Sequence, residues 1–316
     1  MPRLLRSIAL LALPLTLAAS APAQLEGPLP TQVLVNVDPK STPPAAASAL
    51  TVSVNDHKAP LTAWAPVPPA NAQVALLIDD GLRETVGREL ENLRSFVGNL
   101  TPGIEIFIGY MRNGSVQVAQ PFTADHSQAA NTLHLPEGIP GISASPYLCL
   151  SDFVKSWPGA GVQPTYVGAP PPHKARFVIM ITDGVDPYNG STSVMNQGSP
   201  YVDAAVADAQ RAGVAIYAIY FSDAGIRGGS ADNSGQDYLA QITQATGGMN
   251  YWEGIGNPVS TAPFLKAFQS AIAETYIATF TAPAGKDPAR DMVRIKITAP
   301  NAKLHAPEKV RPGNQE

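Results

Sequence analysis

Residues 74–93 read VALLIDDGLRETVGRELENL, and the fold turns on this stretch. Val74 to Ile78 is a continuous apolar run of strand length, the pattern of a strand buried on both faces. It runs directly into Asp79, Asp80 and Gly81. Beyond them Leu82, Val86, Leu90, Leu93, Val97 and Leu100 recur at a spacing close to 3.6, which predicts a helix with one apolar face. A buried strand that ends in acids and turns into a helix is one half of a parallel α/β unit. Its carboxylates then stand at the strand's carboxyl end, where open α/β sheets bind ligands.

Working outward, the same alternation continues. Residues 104–122, IEIFIGYMRNGSVQVAQPF, are two alternating runs joined by Asn113-Gly114, the dipeptide of a type I′ hairpin, so one strand is expected to be antiparallel. RFVIMITDG (176–184) and VAIYAIYF (214–221) are further buried strands, and MNYWEG (249–254) a short one. Helices are predicted in YVDAAVADAQRAG (201–213), YLAQITQATGG (238–248) and PFLKAFQSAIAETY (263–276); the first two stop at glycine. Phe264, Leu265, Phe268 and Ile272 share one face of the last. RGGSADNSGQ (227–236) is glycine-rich, lacks a phosphate-cradling lysine and reads as a mobile loop. The fold class is therefore α/β, a doubly wound, mostly parallel sheet with one antiparallel edge strand.

Both flanks are β-patterned. TQVLVNVD (31–38) and ALTVSVN (49–55) precede the sheet domain, and YIATFTA (276–282) and DMVRIKIT (291–298) follow it. Lone hairpins are marginally stable, so the two ends are expected to pair into one small β module. Residues 1–23 carry Arg3 and Arg6, a short apolar run and a small-x-small end, the pattern of a secretory signal peptide. That divides the chain into a signal (1–23), an N-terminal β segment with a proline-rich linker (24–70), the sheet domain (71–276) and a C-terminal β tail (277–316). Export by a Sec-type signal to the periplasm or the exterior is expected.

Removing Arg3 and Arg6 takes the formal charge from −4 to −6 (−4 − 2). An acidic chain argues against nucleic acid or an anionic membrane surface as partner, and no segment after the signal has membrane-spanning length. Cys149 is the only cysteine, so no intrachain disulfide is expected; within YLCLSDFV it reads as a small buried hydrophobe. The histidines are scattered without zinc spacing, and no nucleophile elbow, phosphate loop or dinucleotide fingerprint occurs.

The order of a strand ending in Asp, helix, Asn-Gly hairpin, helix, "ITDG" strand, helix, strand, helix, strand, helix resembles the von Willebrand factor type A (VWA) fold. ALLIDDG, SPYLCLSDFV, MITDGVDPY and AQRAGVAIYAIY resemble the exported VWA-related proteins of acidobacteria. The resemblance implies a metal-ion-dependent adhesion site, built from an Asp-x-Ser-x-Ser loop, a threonine from a second loop and an Asp from a third. Carried over, the acids are Asp79 and Asp183, Gly81 and Arg83 occupy the two serine positions, and Ser143 or Ser145 stands for the threonine. The site is then degenerate. If Arg83 turns inward it repels a divalent ion by roughly 8 kcal/mol at 4 Å and an effective dielectric of 20, and it neutralises the acids itself. If it turns outward it is solvated on the first helical turn, where the helix dipole disfavours it.

Ser145 before Pro146 equally suits a helix N-cap, and Asp186 a turn cap. The loops at the carboxyl ends of the strands are expected to converge, bringing Arg83, Tyr147, Asp186, Tyr188 and Trp252 to one face as partner-binding residues. The expected function is a non-enzymatic, exported, adhesion-type module that binds a protein and needs no cofactor. The alternatives are a retained weak Mg or Mn site on Asp79, Ser143 or Ser145 and Asp183, and a structural component of the envelope.

Overall fold

The structure, a computed structural model, describes residues 27–42, 47–82, 84–138, 145–159, 172–186, 199–222, 229–254, 257–284 and 291–316. The expected signal peptide lies outside the described residues, as do Arg83, Ser143 and Tyr188. Among the described residues no helix is long and apolar enough to cross a membrane.

Six strands form the central sheet: β5 (Ala72–Asp79), β6 (Glu105–Arg112), β7 (Ser115–Thr123), β8 (Ala175–Thr182), β9 (Val214–Tyr220) and β10 (Asn250–Tyr251). Their order is β10-β9-β8-β5-β6-β7, with every pairing parallel except β6 with β7. The strand order reverses between β5 and β8, which makes their carboxyl ends the switch point of a doubly wound sheet. At the β6–β7 turn Asn113 and Gly114 both have positive φ, 50° and 81°, as a type I′ hairpin requires.

Alternation along each buried strand sorts its side chains into two layers. Val74, Leu76 and Ile78 join Phe177, Ile179 and Ile181 on one face. There they meet Leu93 and Val97 of α1 (Leu90–Gly98) and Leu265, Phe268 and Ile272 of α6 (Ala262–Ala273). Ala75, Leu77, Val178 and Met180 face the other way. That layer is closed by α3 (Pro146–Lys155), α4 (Val202–Arg211) and α5 (Gly229–Ala245), and Cys149 is buried within it. The short α2 (His126–Asn131) is the remaining α-helix among the described residues.

Two local expectations change. The helix predicted from Leu82 is broken: residues Glu84–Glu89 form a 3-10 turn and α1 starts at Leu90. Val86 and Gly87 are poor α-helix formers, and Glu89 is held inward by bonds described below. The glycine-rich stretch 227–236 is helical from Gly229. Its Gly235 explains why: a Cβ there would stand 2.1 Å from the Asp183 carbonyl oxygen, so the missing side chain lets α5 lie directly on the loop after β8. Tertiary packing has overridden weak helix propensity.

The flanks build more than one small module. β1 (Pro28–Val37), β4 (Leu61–Pro66), β11 (Thr275–Pro283) and β13 (Leu304–His305) form one four-stranded sheet, ordered β13-β1-β11-β4. β2 (Thr51–Val54), β3 (His57–Ala59), β12 (Val293–Thr298) and β14 (Lys309–Val310) form a second, ordered β14-β12-β2-β3. Chain ends do pair: β1 runs antiparallel to β11, and β2 to β12. Between the sheets Val33, Val35, Val52, Val54, Phe280, Ile295 and Ile297 make a third core. Leu34 points the other way into the α/β core, so β1 serves both cores.

Candidate functional site

Parallel register places Ile78 opposite Ile181, so the next residues, Asp79 and Thr182, meet side by side at the switch point. The Thr182 hydroxyl donates to Asp79 Oδ2 at 2.6 Å, and the Gly81 N–H donates to Oδ1 at 2.8 Å. Thr182 Oγ1 in turn accepts the Gly184 N–H at 3.0 Å. Asp183 Oδ1 accepts from the Val185 N–H at 2.8 Å. Both acids are buried, 4% and 5% exposed. Thr182 was not foreseen as a partner of Asp79; its place beside the "DG" acid was the available signal.

Asp80 faces a different set of groups. Its Oδ1 accepts the Glu137 N–H at 2.7 Å, its Oδ2 lies 2.9 Å from Arg112 Nε, and its carbonyl accepts the Gly138 N–H at 3.1 Å. Asp80 is thus a buried anion paired with the last residue of β6, and it fastens the segment after α2 to the head of β5. Arg83, the cation that sequence placed among the acids, is not among the described residues; Arg112 is a cation that sequence reasoning overlooked.

Asp186 is buried and accepts from the hydroxyls of Ser145, at 3.0 Å, and Ser199. Ser145 does occupy the N-cap position of α3, yet it makes no side-chain cap bond there. Its hydroxyl instead spans 41 residues to join two loops. Asp186 is not displayed to solvent as a partner-facing acid would be; it is an internal acceptor.

Tyr147 is also corrected. Placed on the first turn of α3, it faces the sheet, is 0% exposed and donates its hydroxyl to the Gly184 carbonyl at 2.8 Å. Its ring meets Tyr238 edge-on at 5.8 Å. Burial, with Asp183 and Asp186 adding, pushes the phenol well above its ordinary range. Trp252 is exposed, at 54%, and Val259 in the same connection is 92% exposed.

Glu89 was not anticipated either. Its Oε2 accepts the Thr261 N–H at 2.7 Å and the Thr261 hydroxyl at 2.6 Å, with Asn92 donating at 2.9 Å. Burial alone would raise this carboxyl, but the donors outweigh it and hold it below its ordinary value. The described ends of the carboxyl-end loops therefore do meet, through Asp80–Glu137, Asp186–Ser145 and Glu89–Thr261.

For a hard divalent cation the donor set fits poorly. Mg²⁺ wants near-octahedral oxygen ligands. Gly81 offers no side chain, each Asp79 oxygen already accepts one internal bond, and the Ser145 hydroxyl is oriented by its bond to Asp186, 41 residues away. Among the described residues no group of three or more His, Cys, Asp or Glu has a geometry that could hold a metal.

The fold is VWA-like in its strand order and in the acids at the ends of β5 and β8. No family model matches the chain, and no curated protein does. Solved structures similar to it include an aerotolerance-related membrane protein from Bacteroides fragilis, at 14% identity and TM-score 0.40, over 64% of this chain and 98% of that one. The SpRpn10 VWA domain is similar at 11% identity and TM-score 0.39, over 64% and 97%. The ArnB paralog VWA2 from Sulfolobus acidocaldarius is similar at 10% and 0.38, over 90% and 76%. At these scores the overlap is one of outline.

Proposed function

We propose that this chain is an exported, non-enzymatic module of the adhesion type, which binds a protein through the loops at the carboxyl end of its sheet and needs no tightly held metal or other cofactor. The observation that carries this reading is the internal satisfaction of Asp79 by Thr182 and Gly81. Each Asp79 oxygen already accepts one short bond, so the carboxylate is held and partly neutralised without an ion, and a cation would have to share it through the remaining lone pairs. Exposed Trp252 and Val259 supply apolar contact area on the same connection, as interface anchors do. The Cys149 thiol, pushed up to about 12 by burial, offers no thiolate nucleophile at neutral pH.

Mg²⁺ and Mn²⁺ titrations by calorimetry, with Arg83→Ser alongside, test the reading. Wild type is expected to show no saturable heat below about 1 mM, the weak end of useful affinity. Capture of a partner is expected to proceed equally in EDTA and in Mg²⁺, and to fall in Trp252→Ala. A saturable site in wild type, with capture lost in EDTA, would replace this by the second reading, a retained weak metal site. That reading is favoured by the two buried acids at the ends of adjacent strands.

A further inference from the structure

We propose a second site at the opposite, amino-terminal edge of the sheet, which binds a tetrahedral oxyanion, either free phosphate or the phosphate of a monoester. A cavity of about 140 Å³ opens there between the ends of α3 and α4, the start of β8 and the C-terminal segment. A buried water needs about 10–15 Å³, so the space takes an ion of phosphate size with some of its hydration. Among the described residues Lys155, Arg176, Arg211 and Arg311 line it, against the one carboxylate of Asp208.

Charge balance points to an anion. Lys155 and Arg211 stand in the last turns of α3 and α4, each helix end presenting about half a negative charge. Asp208 lies 3.7 Å from Lys155 and 2.9 Å from Arg211. Four cations against one carboxylate and about one unit of helix dipole leave about two positive charges. One remains even with Arg311 set aside. Glu316 lies near Arg176, but burial lifts its carboxyl to about 8, so it is mostly protonated at neutral pH and cancels little. This excess sits in a chain whose overall charge is negative.

Arg176 is the strongest element. It is 5% exposed, lies over the Trp157 ring at 5.2 Å, and donates one NH1 bond to the Ala212 carbonyl at 3.1 Å. Its Nε is enclosed and has no hydrogen-bond partner among the described residues. Burial lowers the guanidinium to about 10, which leaves it charged at neutral pH. A buried cation on a cavity wall is costly unless an anion meets it. Guanidinium forks match phosphate oxygens in pairs, and phosphate carries about −1.5 to −2 at neutral pH, close to the local excess.

The full mature chain is to be titrated by calorimetry with inorganic phosphate, O-phosphoserine and acetate at matched ionic strength. Phosphate is expected to bind below about 1 mM, and acetate at least about tenfold more weakly. Phosphoserine matching phosphate assigns the site to a monoester, and phosphoserine much weaker than phosphate assigns it to the free ion. Lys155 and Arg211 are half-exposed, so Lys155→Gln and Arg211→Gln are expected to fold, as circular dichroism checks, and each to weaken phosphate about tenfold. No phosphate binding up to about 10 mM, equal binding of acetate, or binding unchanged in both variants would overturn the proposal.

Discussion

At the scale of single residues, the hydroxyl of Thr182 and the guanidinium of Arg112 do for the acids of the switch point what bound ligands do elsewhere. Thr182→Val keeps the volume and removes the donor to buried Asp79. It is expected to cost about 1–3 kcal/mol in urea unfolding, because a buried acceptor loses its partner. Thr182→Ser restores the hydroxyl and most of that loss. Arg112→Met leaves Asp80 with its backbone donor but no countercharge in a site that is 2% exposed. A similar loss of about 1–3 kcal/mol in urea unfolding is expected there.

Among elements, two close contacts tie the helices to the loops that could bind a partner. Gly235→Ala would drive a Cβ to 2.1 Å from the Asp183 carbonyl and 3.1 Å from Gly184. Backbone cannot yield as a flexible side chain can, so a loss of about 1–3 kcal/mol or more is expected, with α5 shifted away from β8. Glu89 joins the 3-10 turn before α1 to the start of α6. Its folded carboxyl lies below the ordinary value of 4.5. The stability it contributes is therefore present above that value and is lost as pH falls through the lower, folded one. Wild type should destabilise over this acid range more steeply than Glu89→Gln, measured by thermal unfolding from pH 6 to 3.

Over the whole molecule, the C-terminal segment sews the β-sandwich to the α/β domain. Gln32 N–H donates to the Asn314 carbonyl at 2.7 Å, His173 N–H to that of Gln315 at 3.0 Å, and Glu316 N–H to Gln32 Oε1 at 2.8 Å. At this seam Glu316 is raised to about 8 by burial, and His173 is lowered to about 4 by burial with Arg176 adding. For Glu316 the folded pKa exceeds the ordinary one, so its contribution is complete below 4.5 and is lost as pH rises toward 8. The loss is at most about 1.4 kcal/mol per pH unit in that window. Glu316→Gln should flatten the fall in stability between pH 5 and 8; an unchanged slope would show that the carboxyl titrates normally.

Sequence by itself determined the architecture, because its signals are local. Apolar runs of strand length, a 3.6 spacing and an Asn-Gly turn each act within a few residues, and together they specify a doubly wound sheet with one antiparallel hairpin and β-patterned flanks. It also placed Asp79 and Asp183 at the strand ends. What it did not determine was which groups those acids meet. Thr182 lies 103 residues from Asp79, Arg112 comes from the neighbouring strand, and Thr261 lies 172 residues from Glu89. Only strand register and helix packing bring them together. The same packing buried Tyr147, cut the first helix short, and made a helix of a glycine-rich run. It did so because a side chain omitted, as at Gly235, is visible in sequence only as flexibility, and in the fold as room for another backbone.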